Sequence, residues 1–130
     1  MKILVGYNGS PSSQRALNLA CTHARLSGAM LFVATSLVGG AGESAKDVLT
    51  AEEQLKMVKE ELDQAGVAYE TFQLARGLSP GEDIVKFAQD NGIDQIFLGV
   101  EKRSRASKII LGSTVQYVIL KGPCPVTTTK

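Results

Sequence analysis

Short apolar runs alternate with capped helical segments along this chain, and that alternation constrains the fold more than any other feature. Ile3-Leu4-Val5 is a continuous apolar run ending in Gly6-Tyr7-Asn8-Gly9, the pattern of a buried strand feeding a turn. Ser10 follows as an N-cap, with Pro11 at the first helical position, where its missing N–H costs nothing. Ala16, Leu17, Ala20, Cys21 and Ala24 recur at helical spacing, and Gly28 stops the helix. Met30 to Thr35 reads as a second buried strand, and the pattern then repeats.

Residues 37–43 hold three glycines and read as a flexible loop, followed by a long helix over 44–65 with Leu55, Val58 and Leu62 on one face. Tyr69 to Ala75 alternates weakly and predicts a third strand, more exposed and at a sheet edge. Ser79-Pro80-Gly81-Glu82 has the spacing of a capping box and opens a helix through Ile84, Val85, Phe87 and Ala88 to Gly92. Asp94 to Leu98 is a fourth strand. A long basic loop then leads to a last helix carrying Val115, Val118 and Ile119, and Pro125 to Thr129 forms a fifth strand. Strict alternation with helical crossovers predicts an α/β fold, a three-layer open parallel sheet with helices on both faces. No internal repeat or linker divides the chain, so residues 1–130 read as a single domain.

Composition narrows the function by exclusion. A net charge of +1 gives no general attraction for a polyanion, and a chain without Trp has few rings on which single-stranded bases could stack. Nucleic acid is therefore not an expected partner. No run approaches the roughly 18 apolar residues of a membrane helix, and the apolar start is too short for a signal peptide, so a cytoplasmic location without membrane contact is expected. Cys21 and Cys124 lack metal-ligand spacing. His23 falls within the first helix, away from the strand ends where chemistry collects. No catalytic residue is therefore assigned, and slow hydrolysis is the most the sequence would allow.

Parallel sheets bind ligands beyond the carboxyl ends of their strands, where strand order reverses. Two turns lie at such ends. One is Tyr7-Asn8-Gly9-Ser10 after strand one; the other runs from Leu98-Gly99 to Gly112-Ser113-Thr114 after strand four. In the second, Gly99 would let the backbone turn and a ligand approach. Gly112-Ser113 opens a helix whose free N–H groups suit an anion. Lys102, Arg103, Arg105 and Lys108 place four of fourteen basic residues in seven positions between them. Glycine turn, helix start and basic loop together point to phosphate. No Gly-Lys-Ser/Thr or Gly-x-Gly-x-x-Gly follows strand one, so the loop is neither a P-loop nor a dinucleotide fingerprint.

Gly99-x-x-Lys102, nine residues, then Gly112-Ser113 resembles the universal stress protein signature, Gly-x-x-Gly, nine residues, Gly-Ser/Thr. The Ile96-Phe97-Leu98 strand, the opening Lys2-Ile3-Leu4-Val5 with Asn8-Gly9-Ser10, and the closing Gly122-Pro123-Cys124-Pro125-Val126 are similar to that family too. The resemblance implies strand order 3-2-1-4-5 and a homodimer formed through the C-terminal strand around Pro125 to Thr129. It also implies ATP or AMP, with Mg, at the switch point between strands one and four, in a stress-response or regulatory role. Carried over by position, Gly99, Gly112, Ser113 and Thr114 would hold phosphates, joined by Lys102 and Arg103. Asn8, beside Tyr7, takes the place of an acid near ribose and metal, and Ala34 and Thr35 would meet adenine through backbone groups.

Two positions depart from the pattern. Asn8 removes an anionic metal ligand but keeps an amide oxygen acceptor. Lys102 replaces a glycine, which costs roughly 1–2 kcal/mol if the site is left-handed. A Lys ammonium about 4 Å from a phosphate gains about 4 kcal/mol at a surface-like dielectric, before desolvation. A nucleotide held with less dependence on metal is the resulting expectation. The alternatives are a dimerisation or interaction module of the same fold without nucleotide, and a flavodoxin-like or receiver-type domain. Gly6-Tyr7-Asn8 supplies no acidic pair for the receiver.

Overall fold

A computed structural model describes residues 1–37, 45–100, 103–105, 108–110 and 112–130. Its elements are β1 (Lys2–Gly6), α1 (Pro11–Ser27), β2 (Met30–Leu37), α2 (Ala45–Ala65), β3 (Tyr69–Ala75), α3 (Pro80–Asn91), β4 (Gln95–Gly99), β5 (Arg103–Arg105), β6 (Lys108–Ile110), α4 (Ser113–Lys121) and β7 (Val126–Thr129). Five strands form one sheet in the order β3-β2-β1-β4-β7, every neighbouring pair parallel. This is the order 3-2-1-4-5, with β7 as its fifth strand. The expected loop over 37–43 falls almost wholly outside the described residues.

The centre of β1, Ile3-Leu4-Val5, is apolar because both of its faces are covered. Ile3 and Val5 face the core beneath α1 and α2, and Leu4 faces the core beneath α3 and α4. All three are fully buried, each stabilising the fold by roughly 2 kcal/mol relative to exposure. β3 lies at the sheet edge and its side chains are half-buried or exposed, hence its mixed composition.

The caps follow local chemistry. Ser10 accepts from the Ser13 N–H at 3.1 Å, and Gly28, at φ 71°, closes α1 by donating to Ala24. The box at α3 takes another form from the one its spacing predicts. Ser79 makes no side-chain bond to the helix backbone; its hydroxyl donates to Glu82 Oε1 at 2.6 Å. Backbone capping is left to Asp83 N–H, which donates to Ser79 O at 2.9 Å. In α4, Val115 and Val118 are buried but Ile119 is 48% exposed. A nine-residue helix on a single sheet face buries only one stripe.

One element differs from expectation more broadly. The stretch read as a long basic loop contains an antiparallel pair, β5 with β6, in which Arg103 faces Ile110 and Arg105 faces Lys108. β-Branched Ile109 and Ile110 favour extended backbone, but three-residue strands carry too little alternation to be read from sequence. Among the described residues, no helix is long and apolar enough to cross a membrane.

Candidate functional site

Register places the ends of three strands side by side, Gly6 opposite Ala34 of β2 and opposite Leu98 of β4. Beyond them the chain leaves the sheet in opposite directions, β1 into α1 and β4 toward α4. A cleft of about 310 Å³ opens there. Tyr7 and Asn8 line it from β1, Ala34 from β2, Leu98 and Gly99 from β4, and Gly112, Ser113 and Thr114 from the start of α4. Eight of the residues picked out in the sequence thus converge on one cavity. Of the other three, Lys102 lies outside the described residues and Arg103 sits in β5. Thr35 stands behind the wall: it is buried, and its hydroxyl donates to the Tyr7 carbonyl at 2.9 Å. The Ala34 carbonyl likewise accepts from Tyr7 N–H at 2.9 Å, so this end of β2 is stitched to β1.

The α4 side suits an anion. Its N-cap, Gly112, has no side chain with which to bond the first turn, and the leading N–H groups of a helix have no acceptor within it. Gly112 needs no special freedom, since its φ is −62° and a β-carbon there would meet nothing within 4 Å. At Gly99 packing adds a reason for glycine beside the expected one. The residue is absent from the positive-φ set, and a β-carbon would collide with the backbone of Ser12 and Ser13 at the start of α1. Close helix–strand packing requires it.

Asn8 is tied into the first turn. Its Oδ1 accepts from Ser10 N–H at 3.0 Å, an Asx-type turn, while Asn8 N–H reaches Ser13 Oγ at 3.4 Å. With its oxygen engaged, the amide offers chiefly N–H donors. Magnesium is usually held through one or two carboxylates. Among the described residues none lines this cleft, and no group of three His, Cys, Asp or Glu is placed to hold a metal. The described donor set therefore does not fit a protein-held magnesium ion.

Residue-by-residue reading missed the opposite wall, where Ser36, Pro80 and Ile84 line the cleft, and also missed Gly6, Ser13 and Val115. Ser36 donates to Asp83 Oδ2 at 2.8 Å. Asp83 is fully buried, and its Oδ1 accepts from Arg76 Nε at 2.7 Å within an ion pair; Arg76 Nη2 also reaches the Asp83 carbonyl at 3.1 Å. The signal for Ser36 was present in the strand, since residues two apart share a face and Ala34 had been selected. Asp83 had no such signal.

Comparison with known proteins bears on the whole chain. The model of the Universal stress protein family matches residues 1–130. The chain belongs to this family. A curated member, Slr1230 of Synechocystis, is 30% identical over 127 residues, covering 98% of this chain and 42% of its own length. The chain spans about half the length of the first curated relatives it matches, 42%, 52% and 54%. Among solved structures, a universal stress protein from Archaeoglobus fulgidus is 36% identical with a TM-score of 0.91, covering all of this chain and 98% of its own. An Archaeoglobus fulgidus universal stress protein solved in complex with dAMP is 33% identical with a TM-score of 0.85, at the same coverage.

The remaining singled-out residues lie away from the cleft. His23 is exposed on α1, its ring edge-on to Phe97 at 5.3 Å. Cys21 packs at the margin of the α1–α2 core and Cys124 at that of the α3–α4 core. Burial pushes the Cys124 thiol pKa upward, and the Asp94 carboxylate adds to the rise, so its thiolate is disfavoured.

Proposed function

We propose that this chain is a nucleotide-binding module that holds ATP or AMP in the cleft at the carboxyl ends of β1 and β4 and serves a stress-response or regulatory role. The observation that carries this reading is the cleft itself. It sits at the switch point of a parallel sheet, joins a helix N-terminus to an apolar wall, and gathers residues from six separate elements. The phosphates lie against the start of α4, and the base lies toward β2 and α3. The A. fulgidus relative bound to dAMP, alike over the whole length of this chain, supports the same ligand class here.

Among the described residues, the cleft contributes hydroxyls, amides and backbone N–H groups and no carboxylate, so the reading includes binding that persists without magnesium. None of those residues is placed to activate water, which favours holding the nucleotide over consuming it. The module spans residues 1–130 and pairs with a second copy through β7.

Isothermal titration with AMP and ATP, each with and without magnesium, tests the proposal. Saturable binding of AMP in both buffers is expected. No heat in any arm overturns the reading and leaves the nucleotide-free interaction module of the same fold.

A further inference from the structure

Ser36 stands on the cleft wall with its only proton already committed. Ala34 and Ser36 are two residues apart on β2 and both line the cleft. Across β1, on the other side, lie Leu98, Gly99 and the start of α4. Around Ser36 the wall is Ala34, Pro80 and Ile84, whose side chains give a flat ring apolar contact and no hydrogen-bond partner.

The hydroxyl donates to Asp83 Oδ2 at 2.8 Å. The direction of that bond is fixed from behind. Asp83 is fully buried, its second oxygen is engaged by Arg76, and an ion-paired carboxylate only accepts. The Arg76 bond to the Asp83 carbonyl holds the guanidinium in place as well. Ser36 Oγ therefore presents lone pairs to the cleft and nothing to donate.

We propose that Ser36, held as an acceptor by Asp83 and Arg76, determines base specificity by accepting a hydrogen bond from the exocyclic amino group of a 6-aminopurine. This rests on the nucleotide reading of the cleft. A 6-oxopurine would set an acceptor against an acceptor, leaving both without a partner as water is excluded. Sites built to pair a polar group reject ligands that lack the matching one far more strongly than apolar pockets reject an extra methylene. Asp83 and Arg76 act through Ser36 and are positioning residues.

The test is a two-by-two comparison with a rescue. Affinities of AMP and of purine riboside 5′-monophosphate, which carries hydrogen in place of the amino group, are measured for the wild type and for Ser36→Ala. Wild type is expected to favour AMP by about tenfold, and Ser36→Ala to reduce that preference to within about twofold through loss of AMP affinity. Ser36→Thr, which keeps the hydroxyl on a β-branched residue suited to a strand, is expected to retain it. An unchanged preference in Ser36→Ala, with both nucleotides still binding, overturns the role of Ser36 and leaves the nucleotide reading intact. Loss of the preference in Ser36→Thr as well assigns the effect to packing and likewise overturns it. Failure of wild type to bind either nucleotide overturns the reading of the cleft and this inference with it.

Discussion

Gly99 lies directly against the backbone of Ser12: a β-carbon at Gly99 would fall 2.7 Å from the Ser12 carbonyl oxygen. The same oxygen accepts the Thr129 hydroxyl at 3.0 Å. The first turn of α1 is therefore wedged between the ends of β4 and β7, and it is this turn that carries Ser13 into the cleft. Gly99→Ala is expected to destabilise the fold by about 1–3 kcal/mol, the usual cost of overpacking against atoms that cannot give way. Urea denaturation gives the number. Gly112→Ala, with open space around it, is the control and should stay within about 0.5 kcal/mol of wild type.

Asn8→Asp converts the amide at the mouth of the cleft into a carboxylate while preserving the oxygen that accepts from Ser10 N–H. Folding should be unaffected. Without magnesium, the added negative charge should weaken AMP binding by about tenfold, roughly 1.4 kcal/mol. Magnesium should restore ATP binding in the variant and leave the wild type nearly unchanged. Equal magnesium responses in the two proteins would count against the reading of Asn8 as chiefly a donor.

Stability should fall in alkali. The Cys124 thiol is raised from its ordinary 9.0 by burial and then by Asp94, and the Tyr7 phenol from its ordinary 10.0 by burial and then by Glu61. Each group keeps its proton in the folded chain at a pH where the unfolded chain has begun to lose it. The unfolded state then binds fewer protons, so ΔG of unfolding declines with pH. Their contribution is whole below about pH 9 and is lost as pH rises toward the two folded values. Urea midpoints at intervals from pH 8 to 11 should be level at first and then drop. Cys124→Ser should remove the earlier part of the drop.

The pairing of two copies through β7 can be tested at one residue. The carbonyls of Pro125 and Thr129 accept from Ile96 in β4 and from Val100 just after it, so by alternation the N–H of Thr128 points to the open edge. Thr128→Pro removes an edge donor without touching the β4 ladder. Light scattering coupled to size exclusion should show a dimer for wild type and a monomer for the variant, with matching circular dichroism. A monomeric wild type would refute the assembly.

Much of this molecule is legible in its sequence because its punctuation is local. Ser10-Pro11 and Gly28 bound α1, and apolar runs such as Ile3-Leu4-Val5 mark strands covered on both sides. The α4 side of the cleft is legible for the same reason, since Gly112, Ser113 and Thr114 are consecutive. The Ser36 side is not, because Ser36 and Asp83 meet across 47 residues and nothing local announces the bond. Gly99 has a further cause that no local pattern could show, since its packing partner is a distant turn of backbone. The β5–β6 pair escaped because basic residues within three-residue strands look the same as those in an exposed loop.

The position of β1 in the middle of the sheet has a temporal consequence. As the chain is made, β1 soon meets one neighbour in β2, and the other, β4, is far down the chain. Lys2 N–H donates to Asp94 across 92 residues, and Ile3 pairs with Gln95. Until β4 is synthesised, one edge of this apolar strand stays unpaired, the condition under which nascent chains stick to one another. Closing so distant a pair late makes for slow folding. A chain ended after α3 would keep β1, β2 and β3 and still present that raw edge, so premature termination there should yield aggregate instead of a smaller working unit.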